Sequence, residues 1–107
     1  MAAGKTDAHI RLEGPRLLVG GPVTYDTVTG IARAGEAAIK TSAVLVDLAE
    51  ITQVDSSAVS MLLEWVRKAQ AYGQKIRFIN LPVNLASLVE LYDVNDLIPV
   101  AGPGELL

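Results

Sequence analysis

One change of hydrophobic period, between residues 43 and 73, restricts the fold of this chain more than any other feature. Residues 43–48, Ala-Val-Leu-Val-Asp-Leu, form a short and nearly continuous apolar run. A strand covered on both faces reads this way, because neither set of alternating side chains meets water. Residues 55–72 then repeat their apolar side chains at helical spacing, and Gly73 follows as a stop. A buried strand that feeds an amphipathic helix is half of a strand–helix–strand crossover. Repetition of that unit builds a mostly parallel sheet.

The pattern recurs on both sides. Ile10 and Leu12 alternate with Arg11 and Glu13, Gly14-Pro15 is a turn, and residues 16–19 give a second strand. Gly20-Gly21-Pro22 is expected to end this hairpin. From Thr24 the period becomes helical, with Val28, Ile31, Ala32, Gly35, Ala38 and Ile39 on one face and Thr24 or Asp26 as N-cap. Gly30 and Gly35 each weaken such a helix by about 1 kcal/mol, or else permit close packing. Residues 75–79 read as a strand with Ile76 and Phe78 opposite Lys75 and Arg77. Pro82 opens a third helix striped by Leu85, Leu88, Val89 and Tyr92, and residues 97–100 give a last short strand or extended segment. The expected fold is α/β, a mixed, mostly parallel sheet with about three helices in the order β-β-α-β-α-β-α-β. One domain is expected over residues 10–100, with a flexible leader at 1–9 and a C-terminal tail at 101–107.

Composition removes several functional classes. The 107 residues hold no cysteine, which forbids disulfides and thiolate metal sites and fits a reducing compartment. Nine basic and twelve acidic side chains are interspersed, so the electrostatic footprint of nucleic-acid binding is missing. No apolar run approaches the ~18 residues needed to span a bilayer, so direct membrane insertion is not expected. Half of the residues are apolar, and the mean hydropathy of +0.36 suggests either a surface that another protein covers or a core rich in Ala and Val. Catalytic arrangements are equally scarce. His9 is the one histidine and has no neighbouring nucleophile in sequence, and no nucleophile elbow or phosphate loop is present. Asp93 and Asp96 read as a helix end rather than a metal site. No enzyme activity, metal or cofactor is expected.

The informative residues are Asp55, Ser56 and Ser57. They put hydroxyls at a helix N-terminus, where free N–H groups and the dipole favour anions, including a phosphate on either serine. Plain capping, worth roughly 0.5–2 kcal/mol, explains the same residues. Along the helix, Val59, Leu62, Leu63, Val66 and Ala69 group toward the sheet, while Ala58, Met61 and Trp65 form a second apolar flank bordered by Ser57, Glu64 and Lys68. That flank is either a docking face, for which Trp and Met are suited, or the seat of a neighbouring helix.

Taken together, Val54-Asp55-Ser56-Ser57, the apolar helix, Gly73-Gln74-Lys75-Ile76 and Leu88-Val89-Glu90-Leu91-Tyr92 resemble the STAS domain over residues 10–100. That family includes anti-sigma factor antagonists, the tails of sulfate transporters and a small subunit of the bacterial Mla phospholipid-transport system. In the antagonists the loop resembles Asp-Ser-Ser-Gly, with the second serine phosphorylated by a partner kinase. Ser57 matches it, but Ala58 stands for the glycine and Gly21-Pro22-Val23-Thr24 lacks the acid of their Gly-Glu-Leu-Asp strand end. The Mla branch looks like Val-Asp-Ser/Thr, with its hydroxyl at Ser56, and carries a late Leu-Tyr segment matched by Leu91-Tyr92-Asp93-Val94. Expected to be complete and without membrane spans, the chain is not read as a transporter tail. The resemblance implies a cytoplasmic accessory subunit, held at the inner face of the membrane by a transporter complex, that binds an ABC-transporter ATPase. The alternative is an antagonist that binds an anti-sigma factor kinase. Either partner would meet Asp55, Ser56, Ser57, Met61, Trp65 and Lys68.

Overall fold

A computed structural model describes residues 7–42 and 44–101 of the chain. Strand β1 (His9–Glu13) turns at Gly14 into antiparallel β2 (Arg16–Val23), followed by helix α1 (Val28–Thr41), strand β3 (Val44–Val54) and helix α2 (Ser56–Ala71). Strand β4 (Ile76–Ile79), helix α3 (Val83–Leu91) and a single 3₁₀ turn (Asn95–Leu97) complete it. The sheet order is β1-β2-β3-β4, with β2, β3 and β4 mutually parallel. The mixed, mostly parallel sheet with three helices agrees with the periods read from the sequence. Most of the expected leader and tail lies outside the described residues.

The core forms on one face of the sheet. Leu17, Val19, Val44, Val46, Leu48, Ile76 and Phe78 point there and pack with Ile31 and Ile39 of α1, Val59 and Leu62 of α2, and Leu85 and Val89 of α3. The alternating residues Leu45 and Ile79 point the other way and form a small separate cluster with Ala101. Among them lies the buried carboxylate of Asp47, satisfied by the Asn80 amide at 3.1 Å and the backbone N–H of Ala49 at 3.0 Å. Both donors reach Oδ1, and Arg16 pairs with Oδ2 at 3.7 Å, which offsets the cost of burying the group.

Four expectations are corrected. Gly20-Gly21-Pro22 does not end β2. The strand continues to Val23 through two register shifts against β3, and Gly21 adopts φ +76° where a Cβ would lie 2.3 Å from the Asp7 carbonyl oxygen. Strand β3 runs to Val54 instead of stopping near residue 48. The N-cap of α1 is Thr27, in place of Thr24 or Asp26; its hydroxyl donates to Pro22 O and accepts from the Thr24 N–H. The last strand shrinks to one bridge between Val100 and Phe78, because the residues before it close a 3₁₀ turn.

The two long helices meet through one side chain. Trp65 of α2 lies flat against Gly35 of α1 and donates its indole N–H to the Ala32 carbonyl at 3.1 Å. Lys68 and the Tyr72 hydroxyl both reach Glu36, each at 3.3 Å, and extend the same seam to the surface. A Cβ at Gly35 would sit 2.1 Å from the indole, whereas one at Gly30 would meet nothing. The two glycines therefore have opposite reasons for being in α1. Gly30→Ala should raise stability by about 1 kcal/mol through helix propensity. Gly35→Ala should lower it by about 2 kcal/mol, since overpacking outweighs the same propensity gain. Urea titrations followed by circular dichroism would register the two shifts in opposite directions.

Candidate functional site

Strand β4 ends at Ile79, opposite Asp47, but β3 continues with only β2 beside it until Val54. At about 3.3 Å per residue, this extension carries the start of α2 some 20 Å beyond the last β3–β4 pair. Ala49, Glu50, Thr52 and Gln53 along it are exposed, and β1 accompanies it only as far as Gly20, opposite Glu50. The loop after β2 and the loop after β3 are lifted together.

Asp55 joins the two loops. Its Oδ1 accepts the Ser57 backbone N–H at 2.9 Å and the Ser57 hydroxyl, and its Oδ2 accepts the Tyr25 backbone N–H at 2.9 Å. These donors favour the charged form. The Ser57 hydroxyl first, then the Tyr25 N–H, holds the Asp55 carboxyl below its usual range. Capping and loop tethering are thus one interaction. Ser57 is half-buried and its hydroxyl is occupied, while Ser56 is exposed. Tyr25, 83% exposed, stands beside them.

On its other side the α2 start borders a cleft of about 310 Å³ lined by Ser56, Val59, Ser60, Leu63, Tyr92 and Val94. Tyr92 and Val94 belong to the end of α3, which closes with Asp93 at φ +58°. Val94 N–H bonds to Val89 O at 3.2 Å and Asp93 N–H to Glu90 O at 3.0 Å. This is the Schellman arrangement, with an aspartate where glycine is usual. It aims Tyr92 at the α2 start and brings two distant sequence motifs, Val54-Asp55-Ser56 and Leu91-Tyr92-Asp93-Val94, to one surface.

Of the sequence-derived contact residues, Asp55, Ser56 and Ser57 lie at this surface. Met61 and Trp65 do not: they are 3% and 1% exposed, sealed with Ala58 into the common core. The expectation that they form a docking face is corrected, and the cause is α1, whose Gly35 notch admits the indole. Lys68 is likewise turned to that seam, paired with Glu36. The buried arc of α2 is therefore displaced from the one expected, and Leu63 and Val66 are left half-buried on the side toward α3. Tyr25 was missed because nothing in its local sequence separates a surface aromatic from a core one. Its position after a strand and before a helix cap was the available signal.

His9 is exposed on β1 and bonds through Nε2 to Glu50 Oε1 at 3.2 Å. Among the described residues no group of three or more His, Cys, Asp or Glu side chains could hold a metal ion, and no helix is long and apolar enough to cross a membrane. The Asp55 tether makes a prediction of its own. A carboxyl depressed on folding stabilises above its unfolded value near 3.9, and that contribution is lost as pH falls through the lower folded value. Asp55→Ala should cost about 1 kcal/mol at pH 7. The gap between parent and variant should narrow below about pH 4 in chemical denaturation curves.

The family model described as Mlab, STAS domain matches residues 7–99. No curated protein sequence matches. Among solved structures, a chain of the Acinetobacter MlaFEDB complex in an ATP-bound conformation is 20% identical, with a TM-score of 0.75, over 87% of this chain and 99% of that one. The anti-sigma factor antagonist SpoIIAA in its unphosphorylated form is 14% identical, with a TM-score of 0.68, over 92% and 90%. An anti-sigma-factor antagonist domain protein from Planctomyces limnophilus is 16% identical, with a TM-score of 0.68, over 88% of each chain. At these identities the structural likenesses establish the fold, and the family model establishes the membership: the chain belongs to the STAS domain family.

Proposed function

We propose that this domain is a non-catalytic accessory subunit that binds the ATPase of an Mla-type phospholipid-transport ABC system and supports its assembly and activity. It would act in the cytoplasm, at the inner face of the membrane, through that complex. The observation that carries the reading is the convergence of Ser56 with Tyr92 and Val94 around one cleft, with exposed Tyr25 on the opposite side of Asp55. Aromatic side chains supply much of the energy at protein interfaces, and two of them flank the exposed helix start here. The family description and the likeness to nearly the full length of an MlaFEDB chain support the choice of partner.

The second reading is an anti-sigma factor antagonist switched by phosphorylation, supported by the fold shared with SpoIIAA. Sequence correspondence puts the phosphate on Ser57. The hydroxyl bond from Ser57 to Asp55 opposes this, because a phosphate there would replace a donor with negative charge against a carboxylate. Ser56 is open, at the positive end of α2.

Pull-down of the ATPase from its native cells tests the first reading. Tyr25→Ala and Tyr92→Ala should each weaken binding about tenfold, and Ser56→Arg should abolish it, with unchanged folding by circular dichroism. Lys68→Ala should bind as the parent does. Equal capture by all four variants would remove the α2 start as the docking site. Intact-mass analysis with site mapping addresses the second reading, and any added phosphate is expected on Ser56 rather than Ser57.

A further inference from the structure

The cleft beside the α2 start does not end at Ser60. Leu63 also lines a second cleft, of about 370 Å³, with Val66, Arg67, Gln70, Asp96 and Leu97. The two form one furrow between α2 and the segment running from the end of α3 through the 3₁₀ turn. From Ser56 to Gln70, at 1.5 Å per residue, it is about 20 Å long. Its apolar content is open to solvent: among the lining residues Tyr92 is 47% exposed and Leu97 58%.

Among the described residues, the charged groups beside the furrow that lack an ion-pair partner are all acidic. Asp96 lines it, Asp93 sits between its lining residues Tyr92 and Val94, and Glu90 lies in the preceding helical turn. Among the described residues none of these three carboxylates forms an ion pair. Arg67, the one cation among the lining residues, is held by Glu64 through hydrogen bonds of 3.2 and 2.6 Å. The negative end of α3 adds to the same field, with no basic residue in its last turn.

We propose that this furrow binds an amphipathic segment of the ATPase partner, with apolar side chains against Leu63 and Leu97 and Lys or Arg flanks facing Asp93 and Asp96. The proposal rests on the ATPase-binding reading and adds the chemistry of what is bound. Complementary charge selects such a segment over an acidic one, which would face unpaired carboxylates, while apolar anchors supply the affinity. A furrow of this length accommodates about 14 helical residues.

The test uses the full chain with its ATPase, titrated at low and high salt. The triple variant Glu90→Gln, Asp93→Asn, Asp96→Asn removes charge but keeps shape, and Asn tolerates the left-handed backbone at 93. Its dissociation constant at low salt should rise about tenfold, with a weaker salt dependence than the parent's. Overlapping peptides of about 15 residues that span the ATPase should include a basic, apolar segment that loses binding to the same variant. If Ser56→Arg abolishes binding but the triple variant matches the parent at both salts, the furrow proposal is overturned and the docking site at the α2 start stands. If no ATPase binds even the parent, both fall. A concentration-dependent dimer that Leu97→Asp dissolves would make a second copy the occupant, and would likewise overturn the proposal.

Discussion

The contact between Trp65 and Gly35 decides how the rest of the molecule is presented. An indole needs a flat seat, and α1 supplies one only where a residue lacks a side chain. With the indole N–H bonded to the Ala32 carbonyl, α2 can no longer rotate about its own axis. Ala58 and Met61 are carried under α1 with it, and Val59 falls between α2 and the sheet. What remains outside is a strip through Ser56, Ser60 and Arg67, edged by Leu63. The side of α2 left exposed is thus set by a core contact.

A second constraint acts along the sheet rather than around the helix. Because β4 stops at Ile79 while β2 and β3 run on to Val23 and Val54, the helix start lies beyond the last β3–β4 pair. Past Gly20, where β1 stops pairing, only β2 and β3 remain, and a two-stranded ribbon alone is weak. Here the Asp55 carboxylate ties its two loops, and Gly20 and Gly21 let β2 bend against β1 where a side chain would collide with His9 or the Asp7 carbonyl.

Much of the fold was legible in the sequence because it follows from period. The buried strand over Val44 to Leu48, the α2 stop at Gly73 and the alternating Ile76 and Phe78 all obey local rules, and the structure places each accordingly. The failures share a different cause. Gly20-Gly21 carries the same local signal in a bulged strand as in a turn, and only the neighbouring strand tells them apart. Whether Met61 and Trp65 faced a partner or another helix depended on where α1 packs, which no residue of α2 encodes. The site was legible at Asp55–Ser57, where capping is local. It was not legible at Tyr25, whose role depends on a hydrogen bond between separate loops.

This arrangement separates the residues that hold α2 in place from those that the proposed docking site uses. Trp65, Met61 and Lys68 hold α2 to α1 on one side, while Ser56, Ser60 and Leu63 on the other contribute little to that seam. The outward strip can therefore vary at small cost to the fold. Asp55 is the exception. Its one carboxylate caps the helix, bonds Ser57 and ties down the loop that bears Tyr25, so a change there reaches both the helix start and the surface of the proposed docking site.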